Sequence, residues 1–233
     1  MRKRFIREQD GFTLPEMMIT MVIMIVVLFA LYSIFDMSIR VFSFGNDKIE
    51  AVENARLGLQ KMEREIRAAY PVNGPNSTES NRYRFFNADG TNPPSGATWP
   101  TATQITFGNE FNSPGDAVIR CPSATSCEYI TYKLTSTASP TSACTTANAP
   151  CALRRVNAAS STGSGESVVE FVRPNGLQFR YFTSDGIEIN PASPGTYTTQ
   201  DIGRVQISLQ IEVDGSRQDL TTLVNLRNRG KFS

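Results

Sequence analysis

Gly11-Phe12-Thr13-Leu14-Pro15-Glu16 joins a short basic leader to nineteen residues, Met17 to Phe35, that carry no charge. Residues 1–11 hold Arg2, Lys3, Arg4 and Arg7 against Glu8 and Asp10. An uncharged run of that length spans a bilayer core as a helix. Glu16 therefore stands just inside a membrane-length segment. A charge at mid-bilayer costs about 2.5–3.5 kcal/mol on insertion scales, and less near the edge. A carboxylate kept at such cost calls for a partner. A secretory signal peptide fits poorly, because its apolar region is shorter and ends at a small-residue cleavage site. Here the run continues into Tyr32-Ser33-Ile34-Phe35-Asp36 without such a site. A plain anchor explains the length and the basic flank. It leaves Gly11-Phe12 and Glu16 unexplained.

Those three residues resemble the class III signal of type IV prepilins and type II secretion pseudopilins. The resemblance implies that a membrane prepilin peptidase cuts after Gly11 and methylates the new amine of Phe12. It also implies that Glu16, fifth in the mature chain, pairs with the N-terminus of a neighbouring subunit during assembly. Electrostatics agrees with that role, since a buried carboxylate is tolerable once a cation satisfies it. Pro15 departs from the commoner aliphatic residue of the motif. Proline is accepted in a helix's first turn, where its missing N–H would have no intrahelical partner.

Charge and composition narrow the function classes. The chain has 23 Lys and Arg against 22 Asp and Glu, and no histidine. A near-neutral balance gives no polyelectrolyte signal for nucleic acid. The lack of histidine removes His triads, His general bases and His metal sites. No G-x-S-x-G elbow or Ser-x-x-Lys motif is present, so the chain is not expected to be an enzyme, and no cofactor is called for. The basic leader favours the cytoplasm and places the C-terminal part outside. Disulfides persist there, and the four cysteines are Cys121, Cys127, Cys144 and Cys151. Three connectivities are open. Cys121–Cys127 and Cys144–Cys151 are favoured, because each closes a short local loop. Their C-x5-C and C-x6-C spacings do not suit zinc. Asn87-Ala88-Asp89-Gly90-Thr91-Asn92 lacks the Glu that would close a calcium loop, since Thr98 falls at its twelfth position, and reads as a polar turn.

Four segments follow. Residues 1–11 are a cleaved leader. Residues 12–45 form the transmembrane and filament-core half of a helix, and residues 46–70 its amphipathic half. Residues 71–233 form an extracytoplasmic β-rich domain. Val52, Ala55, Leu59, Met62, Ile66 and Ala69 recur at helical spacing and make one apolar stripe. Gly45 lies between the halves, as a bend or as the exit from the bilayer. Short strands are expected near Tyr83–Phe86, at Gln104–Phe107, Ala117–Arg120, Glu128–Leu134 and Ala152–Val156. Val168–Val172 and Leu177–Phe182 flank Arg173-Pro174-Asn175-Gly176. Val205–Val213 and Leu220–Leu226 flank Asp214-Gly215-Ser216, a hairpin signal. Val205, Ile207, Leu209, Ile211 and Val213 alternate with polar residues, which predicts a sheet with one wet face. Helix first and antiparallel sheet after is α+β, the order of the pilin fold.

Several later stretches look like J-type pseudopilins and their minor-pilin counterparts: Ala55-Arg56-Leu57, Met62 to Arg67, a Tyr132 strand paired with Leu153-Arg154-Arg155, Leu177 to Phe182, and Leu226-Arg227-Asn228. The resemblance implies a minor pilin or pseudopilin at or near a filament tip, with other pilins, an assembly platform and the inner membrane as partners. The alternative is a tip-borne binding module, an adhesin or a DNA-uptake pilin, using the Cys121–Cys151 region. A basic patch for DNA from Arg154, Arg155, Arg173, Arg180, Arg227, Arg229 and Lys231 is the less favoured reading, since strand periodicity places most of them on the wet face.

Overall fold

The computed structural model of the chain describes residues 11–69, 72–73, 82–83, 85, 99–108, 129–157 and 165–226. The chain divides into two compact units between Asp47 and Lys48. One helix, α1 (Leu14–Arg67, 54 residues), contributes to both. In the first unit its side chains are apolar on every face and exposed on every face. A helix apolar all round belongs in lipid or among other helices. By length and composition this is the one candidate membrane span among the described residues, and its most apolar window is wholly unburied. Gly45 lies inside α1 and does not end it.

In the second unit α1 becomes amphipathic. Ala55, Leu59, Met62 and Ile66 are buried as their spacing predicts, and so is Ala69 just past the helix, while Val52 is half-buried. The buried face also takes in Ala51, Gly58 and Glu65, which the stripe did not include. α1 stops at Arg67, with Arg64 and Arg67 in its last turn, where cations complement the negative helix end.

Helix α1 packs against an antiparallel sheet, the α+β arrangement expected. A two-stranded ribbon, β1 (Val72–Asn73) and β2 (Arg82–Tyr83), stands apart in the pairing. The seven-stranded sheet holds β3 (Gln104–Gly108), β4 (Tyr129–Ser136), β5 (Cys151–Val156), β6 (Glu166–Thr183), β7 (Glu188–Ile189), β8 (Ile202–Val213) and β9 (Ser216–Asn225). Its order is β3-β4-β5-β6-β8-β9, with β7 beside β6. The inner residues of β8 are buried in strict alternation, as predicted. Asp214 and Gly215 form the two-residue turn to β9 with positive φ of 49° and 78°, the geometry that follows the strand twist. Tyr132 pairs with Arg155 across β4 and β5.

One expectation is corrected, one strand is added and one expected strand falls elsewhere. Val168–Val172 and Leu177–Phe182 are parts of one 18-residue strand, β6. Val172 pairs with Ile211 and Leu177 with Leu209, so Arg173-Pro174-Asn175-Gly176 together face Gln210. The turn-forming residues are absorbed as a bulge. Gly176 is required there, because a Cβ would lie 2.7 Å from the Gln210 carbonyl. Strand β7 was not anticipated. Ala117–Arg120 lies outside the described residues.

The core is lined by the α1 stripe and by Phe107, Tyr132, Leu153, Val169, Val172, Leu177, Phe179, Ile207 and Leu209. Phe107 stacks near Tyr132 at 6.3 Å and meets Phe85 edge-on at 6.1 Å. Gly58 marks a close approach of helix to sheet, since a Cβ there would sit 2.2 Å from Val169 Cγ2. Glycine in a helix ordinarily costs about 1 kcal/mol against alanine. At Gly45, where a Cβ meets nothing within 4 Å, alanine should therefore be neutral or stabilising. Gly58→Ala should instead lower stability by about 1–3 kcal/mol through overpacking. Thermal unfolding of the detergent-solubilised variants checks the opposite signs.

Candidate functional site

At the junction, the Met17 amide donates to the Thr13 carbonyl at 3.2 Å, so Thr13 caps α1. Leu14, Pro15 and Glu16 are its first three helical residues. Pro15 lacks an N–H that no intrahelical carbonyl would have met. Glu16 lies in the first turn, at the positive end of the helix dipole. Thr13 and Glu16 also have the spacing of a capping box, a signal the sequence reading did not use. Neither side chain makes those bonds, and among the described residues Glu16 has no hydrogen-bonding or ionic partner. Phe12 and Gly11 precede the helix and are exposed.

The aliphatic hydroxyls of the apolar stretch, those of Thr20 and Ser33, are satisfied within α1. Thr20 Oγ1 donates to the Met17 carbonyl at 2.9 Å and Ser33 Oγ to the Phe29 carbonyl at 3.0 Å. Just beyond the uncharged run, Asp36 pairs with Arg40 at 2.9 Å. Polar groups in hydrocarbon must find partners within the protein. Of the three acidic and basic side chains from Gly11 to Arg40, Asp36 and Arg40 pair with each other and Glu16 has no partner among the described residues.

Residues 6–32 match the family model described as the prokaryotic N-terminal methylation motif. The chain carries a type IV pilin-like signal. The match spans the end of the leader, the Gly11-Phe12 bond, Glu16 and most of the apolar run. It supports a type IV pilin-family protein and points to a structural subunit. With the apolar helix it also points to a single-pass membrane anchor, and it implies processing by prepilin peptidase. No curated protein matches the chain.

Of the four cysteines, Cys144 and Cys151 form a disulfide with Cα atoms 5.7 Å apart. Cys151 is fully buried at the start of β5, so the bridge ties the β4–β5 insert to the core. Within that insert Ser136 Oγ donates to the Asn148 carbonyl at 2.7 Å and Thr137 Oγ1 to the Pro150 carbonyl at 2.9 Å. The insert is therefore a built structure. Cys121, Cys127 and Asn87–Asn92 lie outside the described residues. Among the described residues no cluster suited to a metal ion occurs.

The arginines are mostly engaged. Strand periodicity placed most of the basic residues on the wet face; Arg155 turns inward. Its Nε donates to both carboxylate oxygens of Glu65 at 2.9 Å, and Tyr132 Oη donates to the same carboxylate at 2.7 Å. Burial, then the Glu65 charge, pushes the Tyr132 phenol far above its ordinary value, so it stays a donor. Lys61 donates to Glu166 at 2.9 Å and holds that carboxyl below its usual range. Arg173 pairs with Glu212 at 2.8 Å, and Arg180 with Glu188 at 2.6 Å. With their charges met inside the fold, these residues lend little to a DNA-binding patch. Arg227, Arg229 and Lys231 lie outside the described residues. The contacts of Lys61, Glu65 and Gly58 form a clasp that fixes α1 of the second unit to the sheet.

Proposed function

We propose that the chain is a minor pilin or pseudopilin, cleaved after Gly11, methylated on Phe12, and assembled at or near the tip of a type IV pilus or type II secretion pseudopilus. The observation that carries this reading is Glu16. It is a carboxylate without a partner among the described residues, in the first turn of the exposed apolar half of α1, inside a matched methylation motif. Removal of the leader places a new amine four residues before it. The amine of an adjacent subunit is then the cation that satisfies Glu16, and in low dielectric that pairing also selects the axial register. The apolar helices bundle, and the β-rich domain faces the outside, where the Cys144–Cys151 bridge persists. Prepilin peptidase, other pilins and the assembly platform are the partners of this cycle.

Processing tests the first step. Co-expression with a prepilin peptidase should remove about 1.4 kDa, the summed mass of residues 1–11. Gly11→Val should abolish the shift, because a side chain at the cleaved position blocks the scissile bond. A chain that stays full-length with active peptidase, or a Gly11→Val variant that is cut normally, counts against the reading.

A further inference from the structure

Phe171 is held in the left-handed region, with φ of 58°, and its side chain is 46% exposed. A bulky residue in that region carries roughly 1–3 kcal/mol of strain and persists only when its surroundings enforce it. The surroundings do so through register. Cys151 pairs with Val172 and Leu153 with Val169, so Glu170 and Phe171 both face Ala152. Such a bulge re-aims a side chain. It is backed by an unbroken cross-strand row, Ser136–Cys151–Val172–Ile211–Gln218, which the Cys144–Cys151 bridge staples at one position. The sheet thus presents one exposed aromatic on a rigid mount. Burial does not explain it, and a glycine would take that backbone without strain.

The neighbourhood says what kind of partner fits. Glu212 accepts from Arg173 at 2.8 Å and lies 3.4 Å from Arg217, and Glu170 is exposed. Glu170, Arg173, Glu212 and Arg217 sum to zero charge, so this neighbourhood has no basic excess to draw it to an anionic lipid surface. Phe171 has the character of a protein-interface anchor, a rigid ring within a polar rim. A preordered ring also loses little freedom on binding. We infer that Phe171 is an assembly anchor, seated in an apolar socket on a neighbouring subunit that carries the same kind of N-terminal signal. This rests on the filament reading above.

The test uses the full chain in cells that make the filament. A photocrosslinking phenylalanine analogue at position 171 should bond to a second subunit bearing the methylation motif. Crosslinks to lipid alone, to glycan alone, or to nothing overturn the inference. Phe171→Gly should leave the melting temperature unchanged or raised, while incorporation into filaments falls at least about fivefold, the weight of an ordinary anchor. A melting temperature that falls, or incorporation equal to wild type while Glu16→Ala fails to incorporate, overturns the anchor and spares the filament reading. Normal incorporation of Glu16→Ala overturns both.

Discussion

Glu16→Ala should insert in the membrane as well as the native chain, or better, and yet enter filaments at least about tenfold less. The two halves of that result have opposite physical causes. Insertion is eased because a carboxylate inside the apolar boundary is disfavoured, by up to about 2.5–3.5 kcal/mol at the bilayer centre. Incorporation is lost because the neighbouring amine would enter a low-dielectric bundle with nothing to meet it. Stranding one member of a buried pair costs about 3–5 kcal/mol, and a tenfold change needs only about 1.4 kcal/mol. The local alternative, a capping box between Thr13 and Glu16, predicts another outcome. There, alanine would cost helix stability at one end, and Glu16→Gln, which keeps a hydrogen-bonding side chain, would rescue it. In the assembly role Glu16→Gln removes the charge and stays defective. Fractionation of membranes and sheared filaments from the same cells measures both halves.

Glu65→Ala should be the most damaging single change in the second unit. The side chains of Glu65 and Arg155 are only 11% and 13% exposed, and the Tyr132 hydroxyl shares the carboxylate. Removing it leaves a guanidinium and a phenol in the helix–sheet interface without their acceptor, a loss of about 3–5 kcal/mol. At about 2–4 °C per kcal/mol for a domain of this size, the melting temperature should fall by roughly 6–20 °C. Replacing the whole group with apolar residues, as Glu65→Met with Arg155→Met and Tyr132→Phe, should recover most of it, because no stranded charge remains. A triple variant no more stable than Glu65→Ala would show that the ions themselves, and not their mutual satisfaction, hold the helix.

That clasp was the part of the fold least legible in the sequence. The apolar run was plain because composition alone reports it. The stripe from Ala55 to Ile66 and the β8 alternation were plain because period 3.6 and period 2 survive in one dimension. Glu65 breaks its stripe with a charge, and its partner Arg155 lies 90 residues away, so no local pattern links them. Gly58 carries no side chain to show a period, and only its contact with Val169 explains it. Arg173 to Gly176 has the composition of a turn. Whether such residues reverse the chain or swell a continuing strand depends on the pairing of Val172 and Leu177 with β8. The Cys144–Cys151 bridge was legible because its loop is short. Glu16 was legible because its surroundings are so uniform that one carboxylate stands out.

The most direct measurement is the mass of the N-terminal peptide of the chain isolated from membranes that contain prepilin peptidase. A peptide that begins at Phe12 and carries one added methyl group on its amine is the predicted result. A peptide that begins at Met1, or a cut at any bond other than Gly11–Phe12, would contradict it.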